Sequence, residues 1–506
     1  MDLHASMGYA PVAEAITMWH TMMMTNAEQG RRWLDGLRQA AEKWSGVCKV
    51  GSMFSGTDIC MHVLALCSRF WKFTYNIDLR FEMEFAAESN EKKQEFLKVH
   101  GLAKHVFGNC QDLDKTMAVD RKSGESTLVP FVHWLLAGFP CNNKSRASNV
   151  RNKFRTCVAD AEGQTGEGLQ MVVEYVKRAR PDMISLENVQ QLADGEPGET
   201  EADQVCKNFR DLGYWCHWFD IDAADFGCLA KRERSFWNAI RKDQSDGLYG
   251  ALHRLLVTLR SNDQKMFDFD RFIVYEADAR LVARSHFKLQ AERDSLAVSK
   301  TEDPKYRDEH SEFFRISGNT WPPKFSVEGD RFCFLNVSER VGEFMFLMDQ
   351  VFPVDVSDLA GGANRLEFFD AGPSMSRVLR ALPQQDKPVK EWKNPWVANL
   401  VPTITGHSIM IMRRTWDEDH TGIFKTHIRA LEGFELMNLM GFDNSFYKEF
   451  LPLHNAPLAS LAGNAFSGFA FGPFALVSVA GFGMAETAQS CIDLDSEQVS
   501  SGEDLD

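Results

Sequence analysis

Residues 135–145 read LLAGFPCNNKS. An apolar run of strand character ends at Pro140 and Cys141, and the chain turns at once to two amides and a lysine. A cysteine in apolar surroundings is most often inert core. A cysteine held at the end of a strand is instead placed to act as a nucleophile. The neighbouring sequence decides between the two.

Apolar strand-like runs alternate with helical ones on both sides of this stretch. CKVGSMF (48–54) is followed by ICMHVLALCSRF (59–70), and RFEMEFAAE (80–88) by NEKKQEFLKVHG (90–101). FVHWLLAGF (131–139) is followed, after a polar loop, by EGLQMVVEYVKRAR (167–180). PDMISLEN (181–188) precedes EADQVCKNFRDLG (201–213), and YWCHWFDI (214–221) precedes RSFWNAI (234–240). Such alternation predicts an α/β fold whose mostly parallel sheet is covered on both faces. Ligands of these sheets collect at the carboxyl ends of the strands. Phe54, Glu88, Cys141 and Glu187 all fall at or just after such ends.

Composition sets the frame. The chain has 506 residues, 44% hydrophobic and 25% charged, which suits a folded protein with room for two or three domains. Eleven cysteines are scattered without a CxxC pair, and Asp2 and His4 stand where a secretory leader would carry basic residues, so a reducing compartment is expected. The net charge of −15 argues against a surface coated for phosphate binding, though not against a local basic groove. Residues 485–506 hold seven acidic side chains and no basic one, so the rest of the chain carries −8; this segment reads as a disordered acidic tail. Within it CIDLDSE (491–497) looks like a SUMO-interacting motif, a SUMO or other protein partner standing beside the plainer reading of a solvated tail. Residues 455–485 carry no charge, yet Pro457, Pro473, Asn464 and five glycines, with no basic flank, point to a buried helix and no membrane span.

The strand ends, taken in chain order, resemble the cytosine-5 DNA methyltransferases. FSGTDIC (54–60) is similar to that family's opening loop, which approaches S-adenosylmethionine, and Glu88 in FAAESNEKK matches the acidic residue that bonds the cofactor ribose. GFPCNNKS resembles its Pro-Cys motif, SLENVQQL (185–192) its Glu-Asn-Val motif, and ADFGCLAKRERSFW (224–237) the motif ending in R-x-R, here Arg232 and Arg234. RALEGFELMNLMGF (429–442), with Glu435, resembles a late helix, and LAGNAFSGFAFGPFALVSVA (461–480) the final motif, with Asn464 ahead of a helix returning to the cofactor side. Each piece alone arises by chance; together, in family order, with a gap after the arginine pair where the family keeps its target-recognition domain, they are specific.

The resemblance implies a Rossmann-like class I methyltransferase domain with a mostly parallel seven-stranded sheet, plus a smaller irregular target-recognition domain. The divisions expected are an N-terminal helical extension (1–46), the first part of the catalytic domain (47–240), a target-recognition domain (241–420), a catalytic return (421–484) and the acidic tail (485–506). It further implies that Cys141 is the covalent nucleophile, Glu187 the general acid, and Arg232 and Arg234 the groups that hold the base and steady developing charge. Phe54, Ser55, Gly56, Thr57, Asp58, Glu88, Asn109, Asp112, Pro140 and Asn464 are the expected cofactor contacts. The substrate implied is double-stranded DNA, with the target cytosine flipped out; the acidic tail leans towards a nucleus, with cytoplasm expected for a bacterial or viral protein. Departures are visible. Thr57-Asp58-Ile59 stands where a second glycine pair is usual, Asn142 where Gln is, Asn143-Lys144 where Pro-Phe is common, Leu229-Ala230 where Pro-Gln is, and Asn109 where an acid is expected. A tRNA cytosine-5 methyltransferase and a catalytically inactive, methyltransferase-like DNA-binding or scaffold protein are the alternative readings. The first is disfavoured because Cys333 is followed by Phe334 and Leu335 rather than by Phe-Thr; the second because the nucleophile, the acid and both arginines are intact.

Overall fold

The computed structural model describes residues 11–145, 156–244, 424–442 and 455–484, and only short pieces of 245–423, chiefly 255–260, 365–371, 394–405 and 408–417. The acidic tail with its CIDLDSE segment, and most of the expected target-recognition domain, lie outside the described residues.

The central sheet has seven strands: β1 (Val47–Met53), β2 (Arg80–Ala87), β3 (His105–Phe107), β6 (Trp134–Ala137), β7 (Met183–Val189), β8 (Tyr214–Asp222) and β9 (Glu233–Arg241). A small separate hairpin pairs β4 (Met117–Val119) with β5 (Ser126–Leu128). The order across the large sheet is β3-β2-β1-β6-β7-β9-β8. Neighbours are parallel except that β9 runs antiparallel to both β7 and β8. The mostly parallel, seven-stranded expectation is met. RSFWNAI is therefore a strand reached by a tight reversal rather than one more βα repeat. A short helical turn, Ala223–Phe226, makes that reversal, and Asp222 Oδ1 accepts from Ala224 N at 3.1 Å and Arg232 N at 2.9 Å.

The chain builds outward from β1 to β3 on one side and then restarts with β6 on the other. The order thus switches between β1 and β6, and the loops leaving these two strands diverge to open a crevice. The FSGTDIC loop leaves β1 and the Pro-Cys loop leaves β6, so they share that crevice edge.

Helices cover the sheet: α1 (Pro11–Thr25), α2 (Ala27–Lys43), α3 (Ile59–Tyr75), α4 (Glu91–His100), α5 (Gly163–Ala179) and α6 (Glu201–Asp211). Local chemistry sets their starts. Asn26 Oδ1 accepts from Glu28 N and Gln29 N ahead of α2, and Thr200 and Asp203 form a reciprocal capping box at α6. The remaining helices are α7 (Gly433–Leu439), α8 (Asn455–Asn464) and α9 (Gly468–Gly483).

α1 and α2, expected to be an extension, are part of the core. Trp19, Trp33 and Trp44 are buried, and their indole N–H groups donate to Phe226 O, Leu476 O and Asp182 Oδ2 at 3.1–3.2 Å. The partner of α2 is α9, every residue of which is buried. The segment from Pro457 to Gly483 is long and apolar enough to cross a membrane, and 94% of its most apolar window is covered by the rest of this protein. Backbone meets backbone where the two helices cross. A Cβ on Gly483 would lie 1.7 Å from Gly36 O, and one on Gly36 would lie 2.4 Å from Ala480 O. Because the obstacle is main chain, Gly483→Val is expected to destabilise the fold by roughly 1–3 kcal/mol, towards the upper end of that range. Urea unfolding checks this, and an unchanged midpoint would show that α2 and α9 do not pack this closely.

A second sheet, ordered β10-β14-β13-β11-β12, comprises β10 (Phe332–Cys333), β11 (Arg365–Asp370), β12 (Val397–Ala398), β13 (Met410–Asp417) and β14 (Phe424–Ala430). β13 and β14 pair antiparallel from Ile411↔Ala430 to Asp417↔Phe424. The domain boundary drawn at 420/421 therefore cuts a hairpin, and the second sheet runs on to Ala430. Its interior is polar at one point: Arg413, fully buried, pairs with Glu367 at 2.7 Å and stacks on the Trp396 ring at 4.4 Å.

Candidate active site

The sheet order converts distant positions into one edge. Glu88 follows β2, residues 54–58 follow β1, Cys141 follows β6 by four residues, and Glu187 lies near the end of β7. Because β9 runs the other way, its beginning, with Arg232 and Arg234, arrives at the same edge.

Glu187 and Arg234 face each other across an antiparallel pair. Arg234 is the register partner of Val189, and Glu187 that of Phe236, so the two sit diagonally, within reach of long side chains. Arg234 Nε lies 3.0 Å from Glu187 Oε1, with both side chains largely buried. Asn188 Nδ2 donates to Phe139 O at 2.9 Å and ties β7 to the Pro-Cys loop. Cys141 is half-buried. Burial pushes its thiol above the ordinary range, Arg234 pulls it down, Glu187 raises it and Arg232 lowers it. The electrostatics of the thiol are thus set by the same three charged residues that the sequence grouped with it.

The loop after Cys141 is pinned. Lys144 N and Ser145 N both donate to Cys141 O. Asn143 exchanges two hydrogen bonds with Thr165, through Oδ1 at 2.9 Å and its own N–H at 3.3 Å, while Asn142 Nδ2 donates to Gln164. Lys144 Nζ pairs with Glu201 Oε2 at 2.6 Å in a mostly buried bridge. Asn143 and Lys144 appeared in the sequence only as departures from a motif. Thr165 did not appear and Glu201 appeared only as the start of a helical run, since no local pattern joins residues 22 and 57 positions apart.

Arg232 has a different set of partners from Arg234. Its guanidinium is buried and donates to the carbonyls of Ile404, Gly463 and Ala465. Burial first, and then Arg234, lower it to about 10. Those carbonyls occupy its two Nη groups, which clamp the end of α8 and the 404 segment onto β9, while its buried Nε has no hydrogen-bond partner.

The FSGTDIC loop is conformationally unusual. Phe54, Gly56 and Asp58 have φ of 55°, 57° and 57°, a left-handed conformation that costs a side-chain-bearing residue and gathers at functional sites. Phe54 N donates to Cys110 Sγ at 3.3 Å, and Ser55 Oγ is locked between Ser52 O, Ala87 O and Ala87 N. Gly56 N donates to Glu88 Oε2 at 3.1 Å, and Asn90 N to Glu88 Oε1 at 2.9 Å. Asn464 closes on this loop with its backbone: its carbonyl oxygen would lie 3.1 Å from a Cβ on Gly56. Its side chain turns back onto Ser460 O. Pro140 packs beside Gly168 of α5, whose Cβ would lie 2.6 Å from the proline ring. Beyond β3, exposed Asn109 caps a short turn by accepting from Gln111 N at 3.0 Å, and Asp112 pairs with Lys115 at 2.7 Å. The Asn109 carbonyl keeps a second lone pair. Thr57 and Asp58 are buried, and the Thr57 Oγ1 and Asp58 Oδ2 atoms have no hydrogen-bond partner.

A seven-stranded α/β sheet with one reversed strand, a strained loop at its switch point and a cysteine beside a carboxylate–arginine pair defines a Rossmann-like methyltransferase fold. The sequence profile described as C-5 cytosine-specific DNA methylase matches residues 48–467, and the chain belongs to that family. It is 24% identical over 188 residues to DNA (cytosine-5-)-methyltransferase DMT5 of Cryptococcus neoformans, covering 37% of this chain and 7% of that protein. It is 29% identical over 157 residues to Type II methyltransferase M.CviJI of Paramecium bursaria Chlorella virus IL3A, covering 31% of this chain and 36% of that one. The aligned parts thus span well under half the length of these curated relatives. Superposition on the crystal structure of S. pombe Dnmt2 methyltransferase gives a TM-score of 0.38 at 14% identity, over 85% of this chain and 97% of that one.

Proposed function

We propose that this chain transfers a methyl group from S-adenosylmethionine to carbon 5 of a flipped-out cytosine in double-stranded DNA, through a covalent adduct with Cys141. The observation that carries the reading is the convergence at one sheet edge of Cys141 with the Glu187–Arg234 pair, 3.0 Å apart, whose charges both act on the thiol.

Carbon 5 of cytosine is a poor nucleophile until a group adds to carbon 6, and a thiolate adds there reversibly. Cys141 forms that bond, electron density moves to ring N3, and Glu187 donates a proton there. Arg234 holds the exocyclic oxygen O2 of the base and keeps Glu187 in position. The cofactor supplies, when bound, an electrophilic methyl group. With the cofactor bound, carbon 5 would take that methyl and S-adenosylhomocysteine would leave; solvent at the open edge would take the carbon 5 proton, Glu187 would take back the N3 proton, and the C6–S bond would break to return the Cys141 thiolate. A base inside a duplex is beyond reach of these groups, so the cytosine must leave the stack.

The cofactor loop fits such a group. The crowded, side-chain-free Gly56 lets backbone approach closely, and Glu88 is held by two main-chain N–H groups with lone pairs left for ribose hydroxyls. Phe54, Ser55, Thr57, Asp58, Pro140 and the Asn464 backbone are the further contacts proposed for the cofactor, with Asn109 and Asp112 proposed for its adenine. The acidic tail is read as favouring a nuclear location.

Trapping tests this. Incubated with S-adenosylmethionine and a duplex carrying 5-fluorocytosine, the protein is expected to give a covalent band on denaturing gels, because the fluorine cannot leave as a proton does. A band with fluorocytosine RNA alone would move the substrate to RNA, and no band with either would remove the covalent mechanism.

A further inference from the structure

Asp58 stands at the N-cap of α3, a position where aspartate ordinarily accepts from the first helical N–H groups. Here it makes no such bond, because its backbone is left-handed rather than extended and turns the carboxylate away. The side chain is 3% exposed and Oδ2 has no partner; next to it Thr57 Oγ1, fully buried, has none either. A buried carboxylate oxygen without a donor is costly, and it is completed by a proton or by a cation. The charged groups around it are of its own sign. Glu88, after β2, raises it, and on α3 the neighbouring Cys60 feels both Asp58 and Glu187. Beside Glu88, Lys93 of α4 lies 4.0 Å from Glu88 Oε2.

We propose that Asp58 is the counter-ion of a cationic group of S-adenosylmethionine, whose ammonium and sulfonium both carry positive charge, and that binding expels the proton this carboxyl holds in the free protein. The inference rests on the cofactor reading above. In the free protein burial, opposed by a hydrogen bond from Ser52 and helped by Glu88, pushes the carboxyl up to about 7. A ligand cation stabilises only the ionised form, so affinity falls as pH drops below that value.

Titration calorimetry with S-adenosylmethionine and S-adenosylhomocysteine, in buffers of different ionisation enthalpy, reads both affinity and protons released. For the full chain, affinity for S-adenosylmethionine is expected to fall about fivefold from pH 7 to pH 6, with proton release rising as pH falls. In Asp58→Asn the release and the pH slope disappear, and affinity at pH 8 drops at least about tenfold. Asp58→Gly, which suits the left-handed backbone, is expected to show the same loss, separating charge from strain. Equal losses for both ligands assign the ammonium; a loss confined to S-adenosylmethionine assigns the sulfonium. Folding has its own control. The raised carboxyl contributes stability at low pH that is lost as pH rises through about 7, so Asp58→Asn should resist urea better than wild type at pH 8. Unchanged affinity and slope in Asp58→Asn overturn the proposal while leaving the cofactor reading intact. Wild-type protein that binds neither ligand at any pH overturns both.

Discussion

Replacing Cys141 by alanine is expected to eliminate methyl transfer, a loss of roughly 10⁴-fold or more, because the thiolate that adds to the ring is gone. Of the described cysteines, the other eight are buried, and Cys141 alone is partly exposed. The change removes a half-exposed side chain that packs no core, so the unfolding midpoint should hardly move. Cofactor affinity should also be kept. Glu187→Gln tests the second part of the same machine. It keeps the shape but cannot deliver a proton as a carboxylic acid does, and a slowing of about 10²- to 10⁴-fold is expected. It also removes the negative charge that raises the Cys141 thiol, so alkylation of that thiol should speed up while methyl transfer slows. Residual methylation in Cys141→Ala near the wild-type rate would sink the covalent mechanism. Alkylation unchanged in Glu187→Gln would show that the two side chains are not coupled as the structure places them.

The two arginines should separate by phenotype. Arg232→Met leaves the carbonyls of Ile404, Gly463 and Ala465 buried without a donor, and a loss of about 3 kcal/mol in folding stability is expected. Arg234→Ala leaves the largely buried Glu187 carboxylate without its partner, so it too should lower the urea midpoint, but by less than Arg232→Met because both side chains of the pair keep some exposure. The variant is expected to slow methyl transfer and, by removing the charge that lowers the Cys141 thiol, to slow its alkylation at neutral pH. Denaturant unfolding beside alkylation kinetics reads both. If Arg232→Met keeps full stability while losing activity, that arginine acts on the substrate and the clamp described above is incidental.

The residues proposed to carry the chemistry were largely visible in the chain. A strand advertises itself through consecutive apolar residues and its end through the turn that follows, so Phe54, Glu88, Cys141 and Glu187 could be placed at strand ends without coordinates. The resemblance to a family then gathered them. These are local signals, because strand character and turn chemistry act over a few neighbouring residues.

Sheet order, partners and burial are non-local, and there the fold decided. Arg232 and Arg234, two residues apart, read as equivalents; only the pairing of β7 with β9 and the arrival of residues 463–465 gave one to Glu187 and the other to a set of carbonyls. The hairpin of β13 and β14 moved the end of the second sheet to Ala430, a pairing that no composition shift marks. The helices before β1 became core because Gly36 and Gly483, far apart in the chain, allow two backbones to touch. Asp58 looked like a departure from a glycine motif; its left-handed backbone and its burial beside Glu88 leave its Oδ2 oxygen without a donor. Periodicity along the chain reports which face a residue prefers, whereas its partner depends on the path by which distant segments return.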